Sequence, residues 1–410
     1  PLPSGQGLAT EVKSIVDVRT QLMEGRLDLP RHGEVRATAF LSLPFVVVDA
    51  AGGEVEPVSR FLRDLALSDR SMLTCRSYAV DLLRWWRLLD VLAVGWDLAT
   101  TDEVAVLVGW LRTAPNRQRT RGPGVEAVNT KTGKAHLAPG YAPSTINHAL
   151  SVLYRFYEYH AHHGRGPVVN PVPVSSRRRE TLAHRSPLEP LPRTGRAPLR
   201  QRTPQTAPRA IPDGLWDELF AAMTSNRDRS LLAFYVSSGA RASELLGLLL
   251  EHVDWAGQRI WVVSKGTRAL EAVPASPLAF TLLALYLDEA GLPQPGQPVW
   301  RALRGETRSL SYWAMRRVLQ RANVRLGTNW TLHDMRHTAA TRMVNDPGLT
   351  LPEVQTVLRH RHLSTTQRYL GVDVEEMFAK LQTHFQRPRT EPASPAAGYD
   401  PADVAAVFGD

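Results

Sequence analysis

Apolar positions recur at three- and four-residue intervals along much of the chain, the repeat that lays a single stripe down a helix. In SDRSMLTCRSYAVDLLRWWRLLDVLAV, residues 68–94, the stripe runs through Leu73, Tyr78, Leu82, Trp85, Trp86 and Leu89. In STINHALSVLYRFYEYHAHHG, residues 144–164, it runs through Ile146, Leu150, Leu153, Tyr154 and Tyr157, and Gly164 supplies a stop. The aromatic residues follow these stripes, which assigns them to a core and not to a platform for stacking bases. A helix is also expected in LATEVKSIVDVRTQLMEG and a strand with a turn in SLPFVVVDAAGG.

Beyond residue 210 the same spacing predicts helices in PDGLWDELFAAM, RDRSLLAFYVSSG and ARASELLGLLLEHV, then at about 278–290, 309–322, 332–345 and 351–359. One segment breaks the rule. QRIWVVS and RALEAVPA alternate and are joined by Lys265-Gly266-Thr267, the signature of a β-hairpin with a glycine-containing turn. The fold expected is mainly α with a small antiparallel β-sheet, and no internal repeat of fixed period is present.

The periodicity lapses over residues 171–210, where proline and arginine crowd out apolar residues and only Glu180 and Glu189 are acidic. Such a stretch buries too little surface to offset its ordering entropy and predicts an extended linker. The division that follows is an N-terminal extension at 1–60, a helical domain at 61–170, the linker at 171–210, a second domain at 211–385 and a tail at 386–410. In the tail, YDPADVAAVFGD places Val404, Val407 and Phe408 on one side of a short helix. A Gly- and Pro-broken loop at 116–140 carries Arg117, Arg119, Arg121, Lys131 and Lys134.

The formal charge of +9 over 410 residues favours a polyanionic partner, with nucleic acid ahead of an acidic membrane surface. Arg177, Arg178 and Arg179 in the linker, the basic loop, and Arg359 and Arg361 are the candidate phosphate contacts. A lone Cys75 excludes an intramolecular disulfide framework and a multi-cysteine zinc site, and reads as a core thiol in a reducing compartment. No apolar run reaches the ~18 residues needed to span a bilayer. The first residues lack the charged and apolar blocks of a secretion signal. These features predict a cytoplasmic protein.

Chemistry-bearing residues cluster in the second half. In TLHDMRHTAATRM, Thr331 and Asp334 form a capping-box pattern, so a helix should start there with His333 and Arg336 on one face near its N-terminus, an arrangement suited to phosphate. His333 and His337 have a zinc-ligand spacing, but no glutamate of the metalloprotease pattern lies between them and Arg336 would repel a cation, so no metal is expected and His337 reads as structural. In SSGARASELL, Arg241 sits in a turn entering a helix, where it can offer a fork to two phosphate oxygens, with Glu244 in support. Lys265 is a mobile ammonium at a hairpin tip, able to give up a proton.

In order, Arg241, Lys265, His333, Arg336, His360 and Tyr369, carried by GARASELLGL, LHDMRHTAAT and LRHRHLSTTQRYL, resemble the catalytic set of the tyrosine recombinase (integrase) family. His360 and Tyr369 stand at the family's nine-residue spacing; the family's usual glycine before that histidine is replaced by Arg359. The resemblance implies a helical core-binding domain and an α+β catalytic domain forming a two-domain clamp on duplex DNA. It also implies that Tyr369 attacks a phosphodiester, giving a 3′-phosphotyrosyl enzyme and a free 5′-hydroxyl, with the arginines and histidines on the nonbridging oxygens, His333 as base and Lys265 as acid. No cofactor is implied. Four protomers on two specific recombination sites would exchange strands through a Holliday junction, and the tail would dock on a neighbouring subunit. A bacterial nucleoid-associated location would follow. Two other readings use the same residues: a type IB topoisomerase relaxing DNA, and a noncatalytic DNA-binding protein on the same scaffold.

Overall fold

The computed structural model describes residues 18–116, 126–136, 138, 140–175, 196–204, 209–264, 268–303, 308–360, 363–367, 369 and 402. The chain divides into two compact units, Pro1–Gln205 and Thr206–Asp410, each with its own core. Among the described residues no helix is long and apolar enough to cross a membrane. The tail at 386–410, apart from Ala402, lies outside the described residues.

In the first unit, β1 (Glu34–Ala37) and β2 (Phe45–Val48) pair antiparallel, with Glu34 opposite Val48. Among the described residues four α-helices follow: α1 (Glu56–Leu67), α2 (Met72–Leu92), α3 (Thr101–Thr113) and α4 (Pro143–His162). Each begins at a recognisable stop for the preceding chain. Pro57 and Pro143 stand in the first turns of α1 and α4. Ser71 accepts from the Thr74 N–H at 3.2 Å, and Thr100 and Glu103 form a capping box.

The expected stripe on α2 is buried at Tyr78, Leu82, Trp85 and Leu89, whereas Leu73 lies on the solvent face at 78% exposure. Cys75 is fully buried, as a core thiol should be. Polar bonds tie the helices together inside: the Trp85 indole donates to Tyr157 Oη at 2.9 Å, and Tyr157 donates to the Trp96 carbonyl at 3.0 Å.

Two segments placed outside the helical domain by composition belong to its core. Leu22, Leu43, Val47, Val48 and Val55 join the same apolar cluster as the helices. Within the expected linker, Val172 is buried in that cluster, and further along Gln201 is held to α4 by Asn147, whose Nδ2 donates to the Gln201 carbonyl at 2.9 Å and whose Oδ1 accepts from the Gln201 N–H at 2.8 Å.

The second unit runs α5 (Asp213–Ala221), α6 (Asn226–Ser238), α7 (Ala242–Leu246), a three-stranded antiparallel sheet of β3 (Val253–Asp254), β4 (Arg259–Val263) and β5 (Leu270–Pro274), then α8 (Pro277–Ala290), α9 (Tyr312–Leu326), α10 (Leu332–Val344), α11 (Leu351–Leu358) and α12 (Leu363–Gln367). The expected hairpin is β4–β5, with Ile260 opposite Val273 and Val262 opposite Glu271. Ile260 and Val262 point inward and their neighbours outward, the alternation of a sheet with one wet face. The core closes around Phe234, Tyr235, Leu283, Tyr286 and Trp300.

Candidate active site

The end of α6 sets the position of Arg241. Gly239 takes the left-handed conformation at φ +60°, which favours glycine, and a Cβ there would come 2.6 Å from Leu358 Cδ2, so a larger residue would have to displace that side chain. The chain turns through buried Ala240 and restarts as α7 with Arg241 at its N-cap. Glu244 reaches back to the Arg241 N–H at 2.8 Å and to its Nη1 at 2.7 Å. Burial alone would raise the Glu244 pKa, but the Arg241 N–H and the charges of Arg359 and Arg241 together hold it below the usual carboxylate value.

The capping box expected at α10 is formed: the Thr331 N–H and Oγ1 donate to Asp334 Oδ2 at 2.7 and 2.8 Å. One turn in, Arg336 is buried and donates to two main-chain carbonyls, Gly239 and, at 2.5 Å, Leu358. Its guanidinium therefore pins the end of α6 to the end of α11. Burial first, and then the Arg241 and Arg359 charges, lower its pKa to about 10, so it remains a cation at neutral pH.

Arg359, where the recombinase pattern has glycine, explains the glycine. It caps α11 in the left-handed region at φ +54° and ψ +46°. Although expected among the DNA contacts, its side chain is only 7% exposed and turns inward, donating to Glu244 Oε2 at 2.5 Å and to the Val357 carbonyl at 2.9 Å. Its carbonyl lies 3.4 Å from Arg241 Nη2.

The same reversal aims His360 back over the site, where Nδ1 meets Thr366 Oγ1 at 2.9 Å. Burial first, then Arg336, Arg241 and Arg359, lower the His360 pKa to about 4, leaving the ring neutral at pH 7. Tyr369 is buried, with its ring parallel to that of His360 at 6.3 Å.

Arg241, Arg336, His360 and Tyr369 are thus gathered at one place. His333 is exposed on α10 and reaches the group through His337, whose ring centroid is 4.2 Å away. His337 is not merely structural: its Nδ1 lies 2.8 Å from Tyr369 Oη. The sequence carries a signal for this in the i, i+4 spacing from His333, a spacing that a pair of metal ligands shares.

Lys265 lies outside the described residues, as do Arg117, Arg119, Arg121, Arg177, Arg178, Arg179 and Arg361. The strand ends beside Lys265 lie near the site: Ser264 donates to Glu271, whose Oε2 is 3.9 Å from Arg359 Nε. Lys131 and Lys134 belong to a tight turn closed by the Asn129 N–H to the Lys134 carbonyl at 2.9 Å.

The first unit carries a basic surface that sequence reasoning missed. An open cleft of about 780 Å³ is lined by Arg31, Arg76, Arg84, Arg87, Tyr141 and His148. Arg76, Arg84 and Arg87 share one face of α2, a spacing readable in the sequence once the buried stripe is subtracted. Asp81 organises the cleft, accepting from Arg84 Nη1 at 2.6 Å and facing His148 Nδ1 at 2.7 Å. That hydrogen bond raises the His148 pKa, against the effect of burial.

A family model described as the phage integrase family matches residues 215–376. The chain is 30% identical over 255 residues to tyrosine recombinase XerC of Azotobacter vinelandii, covering 61% of this chain and 77% of that one. It is 33% identical over 153 residues to XerC of Serratia marcescens, and 37% identical over 153 residues to XerD of Pseudomonas aeruginosa, covering 37% and 36% of this chain. It spans about half the length of those two curated relatives.

Among solved structures, the fold is similar to that of the Tn1549 transposon integrase in complex with circular intermediate DNA, at a TM-score of 0.53 and 13% identity over 81% of this chain and 99% of that one. It is also similar to XerH site-specific recombinase bound to palindromic difH substrate, at 0.52 and 14% over 91% and 95%.

Proposed function

Because the chain belongs to the phage integrase family of tyrosine recombinases, we propose that it cuts and rejoins DNA at specific sites, with Tyr369 as nucleophile. The observation that carries this reading is the grouping of Arg336, Arg241 and the neutral His360 ring, close enough to shift one another's pKa, beside Tyr369, which stacks on His360 and meets His337 at its phenol oxygen. A phosphodiester under attack gains charge on its nonbridging oxygens, and donors held at that place in advance are worth about 10² to 10³ in rate each. Arg336 and Arg241 would supply charge, and neutral His360 a hydrogen bond.

Tyr369 Oη would form a bond to phosphorus as the bond to the 5′ oxygen breaks, with Lys265 giving that oxygen its proton. One phosphoester is exchanged for another, so a 5′-hydroxyl from a second strand can reverse the step. Two duplex sites, four protomers and a Holliday junction complete the proposed cycle. The α2 cleft offers phosphates a basic surface on the first unit.

The recombinase relatives weigh against a relaxing topoisomerase, and the filled cluster weighs against a noncatalytic binder. Duplex DNA nicked beside the cleavage position traps the covalent intermediate. Wild type is expected to form the adduct, and Tyr369→Phe to bind the same DNA without forming it. Adduct formation by Tyr369→Phe would remove the assignment. Joining of two marked sites, as against relaxation of one plasmid, separates recombinase from topoisomerase.

A further inference from the structure

Resting on that reading, we infer that His337, and not His333, takes the proton from Tyr369. A phenol with an ordinary pKa near 10 is a poor nucleophile until a neighbour accepts its proton, and a direct acceptor lies within about 3.2 Å of it. His337 Nδ1 meets that requirement at 2.8 Å from Oη. His360 faces the phenol as a parallel ring 6.3 Å away, and its Nδ1 is engaged by Thr366. His333 packs edge to face against the His337 ring at 4.2 Å.

One turn of α10 sets this order, because residues four apart share a face. Tyr369 is buried, His337 is half-buried and His333 is exposed. Of the two imidazoles, His337 is the more buried and the one in hydrogen-bond contact with the reacting oxygen.

With its own proton on Nε2, His337 presents the Nδ1 lone pair to the phenol. The Oη–H bond breaks toward Nδ1, the oxygen pair forms the bond to phosphorus, and the pair of the breaking P–O bond leaves on the 5′ oxygen, which is protonated by the separate acid. The imidazolium returns its proton to Oη when a 5′-hydroxyl reverses the step. Its positive charge appears beside Arg336 and Arg241 only while the phosphate carries its additional negative charge, which offsets the repulsion.

The test uses the full chain and a nicked duplex drawn, by covalent capture with wild type, from a pool randomised around the nick. If wild type captures nothing, the recombinase reading itself fails. Given capture, His337→Ala is expected to slow single-turnover adduct formation by about 10² to 10⁴ with DNA affinity unchanged, whereas His333→Ala slows it less. Replacing Tyr369 by 2,3,5-trifluorotyrosine, whose proton leaves more readily, is expected to restore about tenfold or more in His337→Ala and much less in wild type.

His337→Asn retains a polar group beside Oη but takes up no proton. It is expected to be as slow as His337→Ala, and serves in its place if the alanine variant does not fold. Adduct formation near the wild-type rate in either variant, or no selective restoration by the fluorinated phenol, overturns the assignment.

Discussion

Arg359 holds a left-handed backbone that costs an L-residue roughly 1–2 kcal/mol relative to the right-handed one and glycine almost nothing. Its guanidinium recovers part of that cost by binding Glu244, which is itself buried and would otherwise keep Arg241 as its main partner. Arg359→Ala keeps the torsional cost and loses the ion pair; Arg359→Gly loses the ion pair but also the cost. The alanine variant is therefore expected to be less stable than the glycine variant by about 1 kcal/mol, measured as a difference in urea midpoints at equal slope. Equal midpoints would show that the backbone relaxes out of the left-handed region. The substitution itself was legible in the sequence, but its meaning was not. Only the torsion shows why glycine suits this position, and only the fold brings Glu244 within reach.

At the scale of elements, α4 buries an imidazole in the core of the first unit. His160 Nε2 lies 3.0 Å from the Pro57 carbonyl, and its other ring nitrogen is buried with no hydrogen-bond partner among the described residues. Burial is the main cause that lowers its pKa to about 4; the Pro57 carbonyl opposes it, and the Arg165, His163 and Arg60 charges add to the lowering. Between pH 6.5 and 4 the unfolded chain takes up a proton here that the folded chain refuses, so stability is full above the unfolded value and declines as pH falls through this window. A loss on the order of 2 kcal/mol between pH 7 and 4.5 is expected from this group, and His160→Gln should flatten the pH dependence of urea unfolding.

Most helices were visible as stripes, because burial on one face imposes the 3.6-residue period on the sequence itself. The helix expected across 240–253 was not formed in full: α7 stops at Leu246, and Leu249 pairs with Pro298 while the Val299 N–H donates to the Leu248 carbonyl at 2.8 Å. A partner 50 residues away took backbone groups that a longer helix would have used, and no local pattern announces such a partner. Strand β1 was missed for a similar reason, since three of its four residues are exposed and its order comes from the ladder with β2.

For the molecule as a whole, the +9 charge and the arginines of the α2 cleft make counterion release the expected source of DNA affinity. Log affinity should fall linearly with log salt, and Arg76→Ala, at an exposed position in that cleft, should reduce the magnitude of the slope by about 0.9 while weakening all duplexes alike. An unchanged slope would take Arg76 out of the phosphate contacts.

By itself the sequence determined the period of the helices, the hairpin, the excess of positive charge and the ordered set of residues that marks the family, because each is written in local spacing or in composition. The tertiary structure alone decided that Leu22, Leu43, Val47 and Val55, and Val172 at the start of the Pro- and Arg-rich stretch, share the first unit's core, that Arg359 turns inward to Glu244, and that His337 meets the phenol. Those outcomes depend on groups distant in sequence coming within a few ångströms, and a hydrogen bond or an ion pair of that kind exists only once the chain has closed around it.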